Sequence, residues 1–140
     1  MDGYDVETIS IDGRTTALGS AGPFTLVVDR PTQAGGRGLG FNGGQLLNLA
    51  VAGCISNDLF REAAREGIEL RRIRVSVWSD YQGDPMVSTP IEYQVEVAAD
   101  AAEEAVRRLV AHVDRIAEIP NSLRQGTAVS LTAVSVDGGP

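Results

Sequence analysis

Cysteine occurs once in the 140 residues, at Cys54, and histidine once, at His112. A single thiol cannot close an internal disulfide, and one thiol with one imidazole makes no Cys/His metal set. No metal and no cofactor is expected. Long apolar runs are also missing. None approaches the roughly 20 residues that span a bilayer. The opening "MDGYDVETIS" has neither the basic region nor the apolar core of a signal peptide. Positive charge is scarce. The formal net charge of -7 repels phosphate backbones, so nucleic acid is a poor partner. These absences lead to the expectation of a cytoplasmic protein with no membrane and no nucleic-acid partner.

What is present is globular. Hydrophobic residues make up 43% and charged residues 22%, without the low hydrophobicity of a disordered chain. Residues 1–140 read as a single domain. "YDVETISI" (4–11) reads as a strand, with "RTTALGS" (14–20) as its partner across the Asp12-Gly13 turn. "FTLVVD" (24–29) is a clearer strand. "TQAGGRGLGFNGG" (32–44) holds six glycines and reads as a loop. Within it "GGRGLG" lacks both the Lys-Ser/Thr ending of a phosphate loop and the dinucleotide-binding spacing. Its glycines are read as providing positive φ and close backbone approach in a flexible connection.

Asn42 and Gln45 form a capping-box pattern for a helix over 43–66 that stops at Gly67. Its first half is apolar on nearly every side, which predicts enclosure. Its later "REAARE" is read as charged and solvated, with Glu62, Arg65 and Glu66 on that face. Alternation predicts strands at 73–78 and 91–97. Asp100 with Glu103 predicts another capped helix, with Ala102, Ala105, Val106, Leu109, Val110, Val113 and Ile116 on one face. Pro120 predicts a break at Ile119. "AVSLTAVSV" (128–136) completes a βββ-α-ββ-α-β order. This is an α+β fold with mainly antiparallel sheet. His112 is expected to be partly exposed, Trp78 and Tyr93 to pack on the sheet, and Ser122 to serve a turn or cap.

The order of elements, the glycine-rich run before an apolar helix, and "QLLNLAVAGC" together resemble the OsmC/Ohr family of thiol-dependent hydroperoxide reductases. "IPNSLR" (119–124) is a second, partial match, because the family commonly has Cys-Pro-x-Ser there. The resemblance covers about residues 10–136. It implies an intertwined homodimer whose antiparallel sheets wrap around buried central helices, with sites at the subunit interface. It carries the peroxidatic cysteine onto Cys54 and the active-site arginine onto Arg14, with Arg37 as the other basic candidate. The second cysteine of the family falls at Ile119 and is absent. A glutamate that orients the arginine falls at Gly44 and is absent too.

A nucleophilic cysteine works as the thiolate, which needs a nearby cation or a helix N-terminus. Cys54 lies twelve residues past Asn42, roughly 18 Å along the axis at 1.5 Å per residue. The helix-end field fades within one turn. A cation brought in by the fold, Arg14 or Arg37, is therefore required. The expected activity is one-cysteine reduction of a small organic hydroperoxide at Cys54, assisted by Arg14 and recycled by an external thiol. Arg37 and Ile119 are expected to line the site. The alternative is a non-enzymatic module that binds a small apolar ligand at the dimer interface.

Overall fold

The computed structural model describes residues 3–138, which divide into two compact units, 3–53 with 75–94 and 54–74 with 95–138. The elements run β1 (Glu7–Ser10), β2 (Ala17–Ala21), β3 (Phe24–Val28), α1 (Gly43–Glu66), β4 (Glu69–Trp78), β5 (Tyr81–Gln82), β6 (Val87–Ser88), β7 (Glu92–Asp100), α2 (Glu103–Ile116) and α3 (Glu118–Arg124). A single 3-10 turn, Thr32–Ala34, lies between β3 and α1.

In the first unit β1, β2 and β3 form an antiparallel sheet with Ser10 opposite Ala17 and Leu18 opposite Val27. The β1–β2 connection is wider than a two-residue hairpin. Ile11 N–H donates to Thr16 O (3.0 Å) and Arg14 N–H to Ile11 O (2.9 Å), so residues 12–15 form the loop tip. Arg14 thus stands in a turn and not in a strand. The "DYQGDPMVSTP" segment between β4 and β7 contains the small hairpin β5–β6, with Tyr81 opposite Ser88.

The capping box forms as the sequence requires. Asn42 Oδ1 accepts from Gln45 N–H at 2.9 Å, and Gln45 Oε1 accepts from Asn42 N–H at 3.0 Å. Two donors that a helix start leaves unpaired are satisfied reciprocally. The other end closes at Gly67, φ 67°. Gly67 N–H donates to Ala64 O and Ile68 N–H to Ala63 O (2.9 Å), a Schellman motif that needs the left-handed conformation at that residue.

The sheet of β4 and β7 has the alternation that the sequence shows. Ile73, Val75, Val77 and Tyr93, Val95, Val97 are partly covered, while Arg74, Trp78, Glu92 and Glu96 are exposed. Cross-strand partners fix the antiparallel sense: Trp78 Nε1 donates to Glu92 (3.1 Å), and Arg71 pairs with Asp100 (3.3 Å). That pairing corrects one expectation. Asp100 ends β7 and does not cap α2, whose N-cap is Ala102 with no side-chain hydrogen bond.

The core of the second unit is made by α1 and α2: Ile55, Leu59, Ala63, Leu109 and Val113, with Ala117. The break near Pro120 comes two residues earlier than expected. Ala117 is extended (ψ 123°), and Pro120 is the third residue of α3, where its missing N–H would have had no intrahelical partner. Two further expectations need correction. The apolar first half of α1 is not enclosed by its own unit, since Leu49 and Ala50 are exposed there. Residues 128–136, expected as the last strand, belong to no strand among the described residues, and Val129, Leu131, Val134 and Val136 are exposed. No described helix is long and apolar enough to cross a membrane.

Candidate functional site

In the first unit the glycine-rich segment is folded back along β3 and organised by a residue that the sequence reading passed over. Asp29, 3% exposed, directly follows β3. Its carboxylate accepts from Arg30 N–H (2.8 Å), Thr16 Oγ1 (3.0 Å), Thr15 Oγ1 (3.3 Å), Leu39 N–H (3.3 Å) and Arg37 N–H (3.3 Å). Burial pushes this carboxyl up. The bonds from Arg30, Leu39, Thr16 and Arg37 outweigh burial and hold it below the usual aspartate range.

Glycine is required where the segment touches β3. A Cβ at Gly36 would collide with Arg30 O, and one at Gly40 with Val27 O. Phe41 N–H donates to Val27 O (2.9 Å), and Asp29 N–H to Phe41 O (3.0 Å). The run is therefore a hydrogen-bonded structure and not the flexible connection the composition implied.

Gly44, where the family resemblance places a glutamate, lies under Tyr81. A Cβ there would be 3.0 Å from the ring (Cε2) and 3.3 Å from its hydroxyl. The space beside this helix start is occupied by an aromatic ring. Thr15, Asp29, Arg30, Gly44, Tyr81 and Met86 are among the residues around an open cleft of about 770 Å³. A second, apolar cavity of about 420 Å³ is lined by Val6, Phe24, Leu26, Val28, Leu46 and Ala50, with a few hydroxyl neighbours. Arg14 and Arg37 are both exposed in this unit, and the Arg37 amide is tied to Asp29.

In the second unit Cys54 lies on α1 with intermediate exposure. Among the described residues of this unit no hydrogen-bond donor reaches its sulfur. Ile119, 37% exposed, is the second residue of α3. One turn beyond Cys54 begins a charged cluster on the covered face of α1. Asp58 and Glu62 are each only 6% exposed. This corrects the placing of Glu62 on the solvated face with Arg65 and Glu66, which are exposed. Glu62 follows Ile55 by seven residues, two turns along the same stripe.

Glu62 Oε1 accepts from Arg61 Nε (3.0 Å) and Arg65 NH1 (2.9 Å), and His112 Nε2 lies 3.7 Å from its Oε2. The Arg61 hydrogen bond lowers the Glu62 carboxyl, burial raises it, and the charges of Arg65, Arg61 and His112 add to the lowering. The net direction is down. The same bond holds Arg61 more firmly protonated. Asp58 Oδ1 pairs with Arg61 (3.0 Å), while its Oδ2 is buried without a hydrogen-bond partner among the described residues. Ser122, read as a turn or cap residue, donates from Oγ to Glu118 O (2.7 Å) within α3.

The fold defines a class: an α+β protein with antiparallel sheets and a long helix that carries one partly accessible thiol. The family model described as OsmC-like protein matches residues 35–132, and the chain belongs to this OsmC-like family. Solved structures agree in fold. An OsmC-like protein from Mycoplasma pneumoniae superposes with a TM-score of 0.75 at 18% identity, covering 90% of this chain and 89% of that one. An organic hydroperoxide resistance protein OsmC from Legionella pneumophila gives 0.58 at 20%, covering 86% and 90%. A putative organic hydroperoxide resistance protein from Vibrio cholerae, with captopril in one of its active sites, gives 0.59 at 22%, covering 86% and 85%. No curated protein matches the chain.

Proposed function

We propose that the protein reduces small organic hydroperoxides through Cys54 alone, with Arg14 as the counter-charge and an external thiol as reductant. The observation that carries this reading is the position of the only thiol, partly exposed on the α1 helix of an OsmC-like fold. Relatives in fold that are named organic hydroperoxide resistance proteins support it.

The step balances as follows. The Cys54 thiolate attacks one peroxide oxygen, the O–O bond breaks, and the leaving alkoxide takes a proton to become the alcohol. Cys54 is left as a sulfenic acid. Ile119 offers no second thiol, so an external thiol attacks the sulfenic sulfur and water leaves. A second external thiol then frees Cys54 as the thiolate and departs in a disulfide. A cytoplasmic setting, rich in small thiols, suits this cycle.

The same reading includes a homodimer. Apolar side chains of α1 (Leu49, Phe60), of the β1–β3 sheet (Ile9, Phe24) and of residues 128–136 are exposed on the single chain. A second protomer is the cover that the family resemblance supplies. Arg37 and Ile119 are retained as lining residues of the site in that assembly.

A second reading is favoured by one observation, the apolar cavity lined by Phe24, Leu26 and Leu46. It is a module that binds a small apolar ligand without turnover. The two separate in one assay, peroxide consumption driven by a dithiol. The redox reading expects turnover by the wild type and none by Cys54→Ser. Equal consumption by both proteins, or none by either, removes it and leaves the binding module.

A further inference from the structure

The charged cluster on α1 leaves one polar atom over. Asp58 is 6% exposed, and its Oδ2 is buried without a hydrogen-bond partner among the described residues. Its other oxygen is engaged: Oδ1 pairs with Arg61 NH1 at 3.0 Å, on the C-terminal side of the residue. Glu62, the second buried carboxylate of the helix, shows the usual arrangement, with donors from both Arg61 and Arg65. Buried acceptors are nearly always satisfied, and one that is not points to a donor supplied in another state of the molecule.

The helix itself offers that donor. Cys54 precedes Asp58 by four residues, so the two side chains are neighbours on one face of α1, with Cβ atoms about 5–6 Å apart. A helical side chain leans back over the turn before it. For Asp58 this is the turn that starts at Cys54. Ile55, 1% exposed, has no polar side-chain atom, and Ser56 and Asn57 stand at spacings that do not face residue 58. In the reduced chain no hydrogen bond joins Cys54 to Oδ2, and a thiol is a weak donor in any case. Oxidation to a sulfenic acid changes both terms. It adds an oxygen beyond the sulfur, and that oxygen carries a donor proton.

We propose that Asp58 Oδ2 is the acceptor for the Cys54 sulfenic acid: the S–O–H donates to it, and the bond holds the oxidised sulfur in this form until an external thiol arrives. This role for Asp58 rests on the redox reading of Cys54 and adds to it the group that keeps the intermediate. A hydrogen bond to the neutral form, beside a carboxylate charge, favours the sulfenic acid over the sulfenate anion. The anion is the stronger nucleophile, so a second oxidation is slowed. In that second step the sulfur attacks another hydroperoxide and the O–O bond breaks. The sulfur gains an oxygen as sulfinic acid, and the alkoxide leaves as the alcohol. Ile119 supplies no thiol to capture the sulfenic acid, so in this chain the acceptor on α1 is what guards it.

The test exposes the folded full-length protein, without added thiol, to a small excess of cumene hydroperoxide. Dimedone is added at set times, and mass spectrometry of the Cys54 peptide separates sulfenic from sulfinic acid. In Asp58→Leu, which keeps the volume and removes the acceptor, the ratio of sulfinic to sulfenic acid should rise about tenfold, the effect of losing a charge-assisted hydrogen bond. Arg61 keeps Glu62 as its partner in this variant. Asp58→Ala provides the reading if the leucine variant does not fold. Asp58→Asn retains an acceptor oxygen and should bring the ratio back towards the wild type. Glu66→Gln, which removes an exposed carboxylate of the same helix, should leave the ratio unchanged. An equal ratio in Asp58→Leu and the wild type, no return in Asp58→Asn, or an equal rise in Glu66→Gln would overturn the proposal. The sum of the two oxidised forms reports the redox reading separately. A sum of zero in the wild type removes that reading and the role of Asp58 with it. A substantial sum with a ratio indifferent to residue 58 removes the role of Asp58 alone.

Discussion

Asp29 shows how one side chain can determine the shape of a whole loop. The six glycines of 32–44 permit many backbone paths. The five donors that converge on the Asp29 carboxylate select one. Replacing Asp29 by Asn keeps the shape but removes the charge and turns one acceptor into a donor that meets donors. The Arg37 and Leu39 amides should then exchange with solvent about tenfold faster or more, as expected when a charge-assisted bond weakens. Unchanged protection of both amides in Asp29→Asn would show that the glycine segment holds its shape without the carboxylate. The sequence did not reveal this residue. It appears there only as the last letter of an apolar strand, and its partners lie between one and fourteen positions away. Cys54, by contrast, stands out in the sequence because the chain has a single thiol and the helix around it is strongly apolar.

At the scale of elements, α1 was the most legible part of the chain, from its cap to its stop. The reciprocal Asn42–Gln45 bonds and the Gly67 turn are short-range features with fixed residue offsets. Asn42→Ala should therefore cost about 1 kcal/mol in denaturant unfolding, and a shift in stability indistinguishable from zero would contradict the cap. The misreadings on the same helix have a physical cause. A glutamate among arginines looks solvated in sequence, but Glu62 occurs on the core stripe, where Arg61 and Arg65 of its own helix and His112 of α2 surround it.

The pH dependence follows from the lowered Glu62 carboxyl. Its folded value lies below the ordinary glutamate value of about 4.3. The stabilisation is thus complete above about pH 4.3 and is lost as pH falls through the lower folded value. Glu62→Gln should flatten this acid limb of the stability curve while lowering stability at neutral pH. An acid limb of unchanged slope in the variant would remove Glu62 from that role. Strands β4 and β7 were legible from their alternation. Residues 128–136 alternate too yet belong to no described strand, because alternation alone does not supply an edge to pair with.

For the whole molecule, the decisive fact is the apolar surface that a single chain leaves uncovered. Leu49, Phe24 and Val129 are 48%, 74% and 97% exposed. An isolated folded monomer would present an aggregation-prone surface. The homodimer reading predicts a single species of twice the chain mass in light scattering at micromolar concentration. It also predicts burial of more than about 2,000 Å² of total surface, as obligate interfaces do. A stable, folded monomer across that concentration range would contradict it. Periodicity alone does not reveal an assembly. An all-round apolar helix calls for cover without naming the chain that would provide it.

The account stands most directly on whether the folded protein oxidises at Cys54. The measurement is mass spectrometry of the intact protein after brief exposure to an organic hydroperoxide in the presence of dimedone, which captures sulfenic acids. The account predicts one dimedone adduct per chain, located on the peptide that contains Cys54, formed more slowly in Arg14→Ala. No adduct on the folded wild type, with Cys54 recovered as the free thiol, would contradict it.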